Sequence, residues 1–79
     1  MPDLTFPEHA WKKMARDSIS EADTYQIVED ADDILVREDG RTVYTGTLDD
    51  GREIVVILES DDETVVTVWQ WKRRRPRRR

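Results

Sequence analysis

The feature that most limits this chain is a change of period at Ile34. Before it, apolar residues recur at helical spacing; after it they alternate, and Asp-Gly pairs punctuate the alternation at Asp39-Gly40 and Asp50-Gly51. An Asp-Gly pair between alternating runs signals a hairpin, because a tight turn needs the positive φ that glycine adopts freely. The pattern predicts strands over Ile34–Glu38, Arg41–Leu48, Arg52–Glu59 and Thr64–Trp71, with a polar turn at Ser60–Glu63. Links this short cannot carry a parallel crossover, so the strands form an antiparallel meander. Ile54-Val55-Val56-Ile57-Leu58 is apolar enough to be a central strand covered on both faces.

The residues before Ile34 predict two helices. Thr5 and Glu8 have capping-box spacing and Pro7 suits a first turn, which starts a helix over about Phe6–Asp17. At about 100° per residue, His9, Lys13 and Arg16 share one face with Lys12 at its edge. Phe6, Ala10, Trp11 and Met14 fall on the other side. Ser18 with Glu21, or Ser20 with Asp23, caps a second helix to about Glu29, burying Ile19, Ala22, Tyr25 and Val28. Met1–Leu4 reads as a frayed lead-in and Asp30–Asp33 as a loop. The expected fold class is α+β, with two N-terminal helices packed on one face of a four-stranded antiparallel sheet. The expected core is Phe6, Ala10, Met14, Ile19, Ile34, Val36, Val55, Ile57, Val66 and Val68.

A chain of 79 residues makes one small domain, here residues 1–71, followed by a basic tail over 72–79. Cysteine is absent, which excludes disulfides, thiolate zinc sites and cysteine nucleophiles. With a single histidine as well, the expectation is no metal and no cofactor. No signal peptide or membrane span is visible, so a soluble cytoplasmic protein is expected. The net charge of −5 conceals a split. The tail carries seven basic groups and no acid, while the rest carries six basic and 18 acidic groups, a charge of −12.

Four constellations can carry chemistry. The first is the His9–Lys13–Arg16 face, where an imidazole can serve as acid or base and a guanidinium can clamp phosphate. Its plain alternative is a solvated helix face. The second is the last strand, where Val65, Thr67, Trp69 and Trp71 alternate onto one face and Val66, Val68 and Gln70 onto the other. A hydroxyl between two indoles suits a stacked base, and the alternative is a core strand with Trp69 buried. The third is the tail. Lys72, Arg73, Arg74, Arg75, Arg77, Arg78 and Arg79 suit phosphate contact without base readout. Such a tail is expected to be disordered alone. A nuclear-import-like address, a solubilising terminus and a fold-back onto the acidic body are its alternatives. The fourth is the set of turn carboxylates, which match no EF-hand pattern and serve turn chemistry and solubility.

The order His9-x4-Met14-x-Arg16-x2-Ile19-Ser20, then Gly51-Arg52-x-Ile54-Val55-Val56, then Val65-Val66-Thr67-Val68 resembles a widespread prokaryotic domain of unknown function. Members of that family look like small toxins of the barnase–EndoU–colicin–RelE fold. The resemblance spans about residues 6–71. It implies a RelE-like fold and a metal-independent endoribonuclease of a toxin–antitoxin type system, of a kind often held by an antitoxin, with RNA, including ribosome-associated RNA, as its partner. His9 and Arg16 match the family's helix pattern and Thr67 its last-strand threonine, which marks these three as catalytic candidates. Lys12, Lys13 and Trp69 join the tail as candidate RNA contacts. The acidic body departs from the basic character of RelE-type ribonucleases. It favours a second function, a non-catalytic protein-binding module whose body docks a partner and whose tail tethers nucleic acid.

Overall fold

The computed structural model describes residues 4–71. Its elements are α1 (Glu8–Arg16), α2 (Glu21–Glu29), β1 (Asp33–Val36), β2 (Thr42–Thr47), β3 (Glu53–Leu58) and β4 (Val65–Gln70). The strands pair antiparallel in the order β1-β2-β3-β4, an α+β meander with the helices N-terminal to the strands. Short polar turns set that order, because each strand meets its sequence neighbour first. Gly40 closes the first hairpin at φ 90°. The tail residues Lys72, Arg73, Arg74, Arg75, Arg77, Arg78 and Arg79, with the disorder expected of them, lie outside the described residues, as do residues 1–3.

The helices form one layer. α1 packs on β4, and α2 packs on β2 and β3. Gly46 lets α2 come close: a Cβ there would sit 3.2 Å from Ile27 Cδ1 and 3.5 Å from Ala31 Cα. The core between the layers joins Ala10, Met14, Ile19 and Ile27 to Leu48, Ile54, Val56, Leu58, Val65 and Val68. Leu4 belongs to it too, and its amide donates to the Tyr25 hydroxyl at 2.8 Å, so the lead-in is anchored at that residue rather than frayed.

α1 starts later than its capping spacing implies. Pro7 is the N-cap, and no side chain caps the helix. Thr5 is drawn elsewhere: its amide donates to Glu63 O at 2.7 Å, and its carbonyl accepts from the Val65 amide at 2.9 Å. Thr5 and Thr64 thus form a parallel bridge beside β4. A Schellman-type stop ends α1, with Ile19 N donating to Met14 O at 2.8 Å and Ser18 N to Ala15 O at 3.3 Å. Ser18 takes the left-handed conformation this requires, φ 58°. With Ser18 so used, Ser20 and Asp23 form the reciprocal capping box of α2, at 3.0 and 3.1 Å. Because α2 begins at Glu21, its buried stripe is Thr24 and Ile27, with Tyr25 and Val28 half-buried and Ala22 exposed.

The expected core needs correction at three positions. Ile34 and Val36 are 56% and 67% exposed, because neither helix reaches over β1. Val66 is half-buried, and Val65 takes its place in the core. A bulge causes that exchange. Ile57 pairs with Thr67 but Leu58 pairs with Val65, so Val66 is an inserted residue and the alternation slips by one. Ala10, Met14, Ile19, Val55, Ile57 and Val68 are buried, and Phe6 packs half-buried against the core. Val55 and Ile57 nevertheless face away from the helices. The helix-side residues of β3 are Ile54, Val56 and Leu58.

Candidate functional site: the open face of the sheet

The face of the sheet that the helices leave bare is apolar. Register places Val43 opposite Ile57, Ile57 opposite Thr67, and Val55 opposite Trp69, so these side chains share that face. All of these except Thr67 join Leu35 and Trp71 in lining a shallow groove of about 640 Å³, where Arg37 and Glu53 supply the charges. Val55 and Ile57 form its floor, 3% and 7% exposed, because side chains on both neighbouring strands flank them. Trp71 stands 48% exposed at one end.

Both ends of the groove are acidic. The β1–β2 and β3–β4 turns bring Glu38, Asp39, Glu59, Asp61, Asp62 and Glu63 to one end, where Arg41 pairs with Glu59 at 3.3 Å. Asp30, Asp32, Asp33, Asp49 and Asp50 gather at the other. Asp61 accepts from the Thr64 amide at 2.9 Å, the Glu63 amide at 2.8 Å and the Thr64 hydroxyl at 2.9 Å. Those bonds hold its carboxyl below the ordinary carboxylate range. Asp50 is lowered as well, first by the Arg52 amide and then, against some desolvation, by the Arg52 side chain. Tyr44 moves the other way: burial, and then the Asp62 charge, raise its phenol.

The two lowered carboxyls give stability a pH sense. An unfolded chain protonates such a group more readily than the folded one, so the contribution is complete above about pH 4 and disappears as pH falls through the folded value. In urea denaturation followed against pH, wild type should therefore lose stability on its acid limb. Asp61→Asn should be less stable near neutrality and should converge on wild type in acid. Parallel curves would mean that the Asp61 turn contributes nothing through its charge.

The basic helix face is built differently from what its spacing suggests. His9 Nε2 lies 2.9 Å from Val66 O. A carbonyl only accepts, so that nitrogen carries the proton and the ring is tied to the bulge. Lys12 meets Glu8 at 3.7 Å with both side chains largely in water, a contact worth little. Lys13 is half-buried. Arg16 Nε is 3.7 Å from Asp17 Oδ1, while Asp17 Oδ2 accepts from the Gln70 amide at 3.0 Å. Arg16 and Trp69 border one hollow with Asp17 and Gln70. Thr67 faces the open side, across the sheet from the α1 packing surface, so His9 and Thr67 are not brought together. Among the described residues no group of three or more His, Asp or Glu is placed to hold a metal ion. Among them, too, no helix is long and apolar enough to cross a membrane.

Sequence reasoning missed Arg52 as an organising residue. Its Nη1 donates to Ser18 O at 3.0 Å and Asp17 O at 3.3 Å, its Nη2 meets Asp23 Oδ2 at 3.4 Å, and its Nε meets Asp50 Oδ2 at 2.9 Å. The signal available was an arginine directly after a turn glycine, which by itself says nothing about distant partners.

Fold and face together define a two-layer α+β domain with one layer of helices and one bare apolar sheet face. No family model matches the chain, and neither a curated protein nor a solved structure matches it. The likeness to RelE-type toxins therefore rests on the residues quoted for it.

Proposed function

We propose that this domain is a non-catalytic protein-binding module whose open sheet face docks a partner presenting basic and apolar side chains, with the tail as a nucleic-acid tether. One observation carries the reading: an apolar floor of Val55 and Ile57 flanked by Val43 and Trp69, with acidic turns at both ends. Apolar contact supplies affinity, and the acidic ends favour a cationic partner and speed its approach. The engagement of His9 with Val66 O also fits a positional role better than proton transfer.

The reading as a toxin-like endoribonuclease or RNA-binding relative is favoured by a different observation. Arg16 and Trp69 border the same hollow, which joins a phosphate-binding cation to a stacking surface. One set of variants separates the two. Tryptophan emission of the full chain should shift and saturate on titration with an alternating Arg-Leu peptide, and not with an alternating Glu-Leu peptide. Val43→Arg should abolish the response and His9→Ala should keep it. Equal responses to both peptides, or none, would sink the docking reading. Toxicity on expression in bacteria that disappears in both His9→Ala and Arg16→Ala would favour the ribonuclease.

A further inference from the structure

The two edges of the sheet are treated unequally. The N-terminal segment covers the β4 edge: Thr5 bridges to Thr64, His9 takes Val66 O, and Asp17 takes the Gln70 amide. β1 has no such cover. It ends the sheet, and nothing pairs with its outer side among the described residues. Its Ile34, Leu35 and Val36 are 56%, 61% and 67% exposed. Natural edge strands are normally blunted by short length, charges, proline, a bulge or an overlying loop. β1 carries no proline, lysine or overlying loop among the described residues. Its guards are its four-residue length, the charges that flank it and the Asp32 amide's bond to Thr45 O at 2.8 Å, where Asp32 and Asp33 both face Thr45.

We infer that β1 is a pairing edge whose partner is β1 of a second copy of this chain, antiparallel and centred on Leu35. Ladder geometry and charge pairing fix that register. Bonded and non-bonded pairs alternate along an antiparallel ladder. Arg37 N donates to Arg41 O at 2.7 Å, so Asp33, Leu35 and Arg37 direct their backbone groups toward β2, and Ile34 and Val36 direct theirs outward. A two-fold axis at Leu35 then sets Ile34 against Val36 of the second copy, each supplying both N–H and C=O. The same axis sets Asp33 against Arg37 of the second copy, twice. Neither side chain makes an ion pair with another of the described residues of its own chain. Opposite charges directly across a non-bonded pair are favourable. Centring on Val36 instead would set Ile34 against Glu38 and Leu35 against Arg37; centring on Ile34 would set Asp33 against Leu35. The segment from Asp33 to Arg37 is thus self-complementary in one register only.

A four-residue strand makes a small interface, at the low end of specific contacts, so the dimer exchanges and depends on concentration. Each chain carries a net charge of −5, and salt near the physiological level, with a Debye length of about 8 Å, screens that repulsion while leaving adjacent pairs in contact. Sedimentation velocity of the full chain over a wide concentration range should show a monomer–dimer equilibrium. Asp33→Arg and Arg37→Asp should each weaken it, since each sets like charges opposite one another. An equimolar mixture of the two variants should restore it as a heterodimer. Both positions are exposed, and circular dichroism checks that the variants stay folded. A wild type that remains monomeric throughout, a dimer indifferent to either substitution, or a mixture that fails to recover would each overturn the inference.

Discussion

Met14→Ala should lower the free energy of unfolding by about 3 kcal/mol and the Tm by roughly 10–20 °C. Met14 is 1% exposed and is the largest side chain that α1 contributes to the core. Truncation removes its transfer energy and leaves a cavity that flanking strands cannot close without breaking register. A chain of this length has a total stability of roughly 4–12 kcal/mol, so the loss is a large share of the whole. Met14→Leu keeps the volume and should cost less than about 1.5 kcal/mol. Urea denaturation followed by far-UV circular dichroism measures both. A Met14→Ala midpoint equal to wild type would mean that α1 is not seated on β4 in solution.

Arg52→Ala should cost about 2–3 kcal/mol, by a different route. Its side chain is 26% exposed, and one guanidinium reaches the end of α1, the capping box of α2 and the β2–β3 turn. Removing it leaves the Asp17 and Ser18 carbonyls with less to bind, at the turn where Ser18 already holds a left-handed backbone. Arg52→Lys should recover only a minor part, since an ammonium cannot present a planar fork to several acceptors at once. Chemical denaturation of the two variants side by side decides it. A lysine variant as stable as wild type would reduce Arg52 to an ordinary surface charge.

These two residues mark what was legible in the sequence. Met14 could be placed in the core because helical spacing is a local rule, and the hairpin at Asp39-Gly40 was readable because its turn chemistry sits in adjacent residues. Arg52 could not be placed, since its partners Ser18 and Asp23 lie far back in the chain. The same limit explains Thr5, whose capping potential lost to a partner near the other end, Glu63. Face parity in β4 failed only at Val65 and Val66, because the inserted residue puts Val65 rather than Val66 beside Val68 in the core, and no residue type there announces a bulge. β1 has a strand's composition, yet its exposure depends on how far two short helices extend sideways, a property of layer width. At the candidate site, the alternation put Thr67, Trp69 and Trp71 on one face correctly. It could not say that His9 would lie beyond their reach.

The Thr5–Thr64 bridge has a kinetic meaning. Every other pairing in the sheet closes a loop of a few residues, and such loops form at small entropic cost. The bridge, together with the His9 contact to Val66, instead joins opposite ends of the described chain. Closing that circuit needs the β3–β4 turn and β4 to supply the receiving groups, so the segment around Thr5 is expected to lock after the local hairpins have formed.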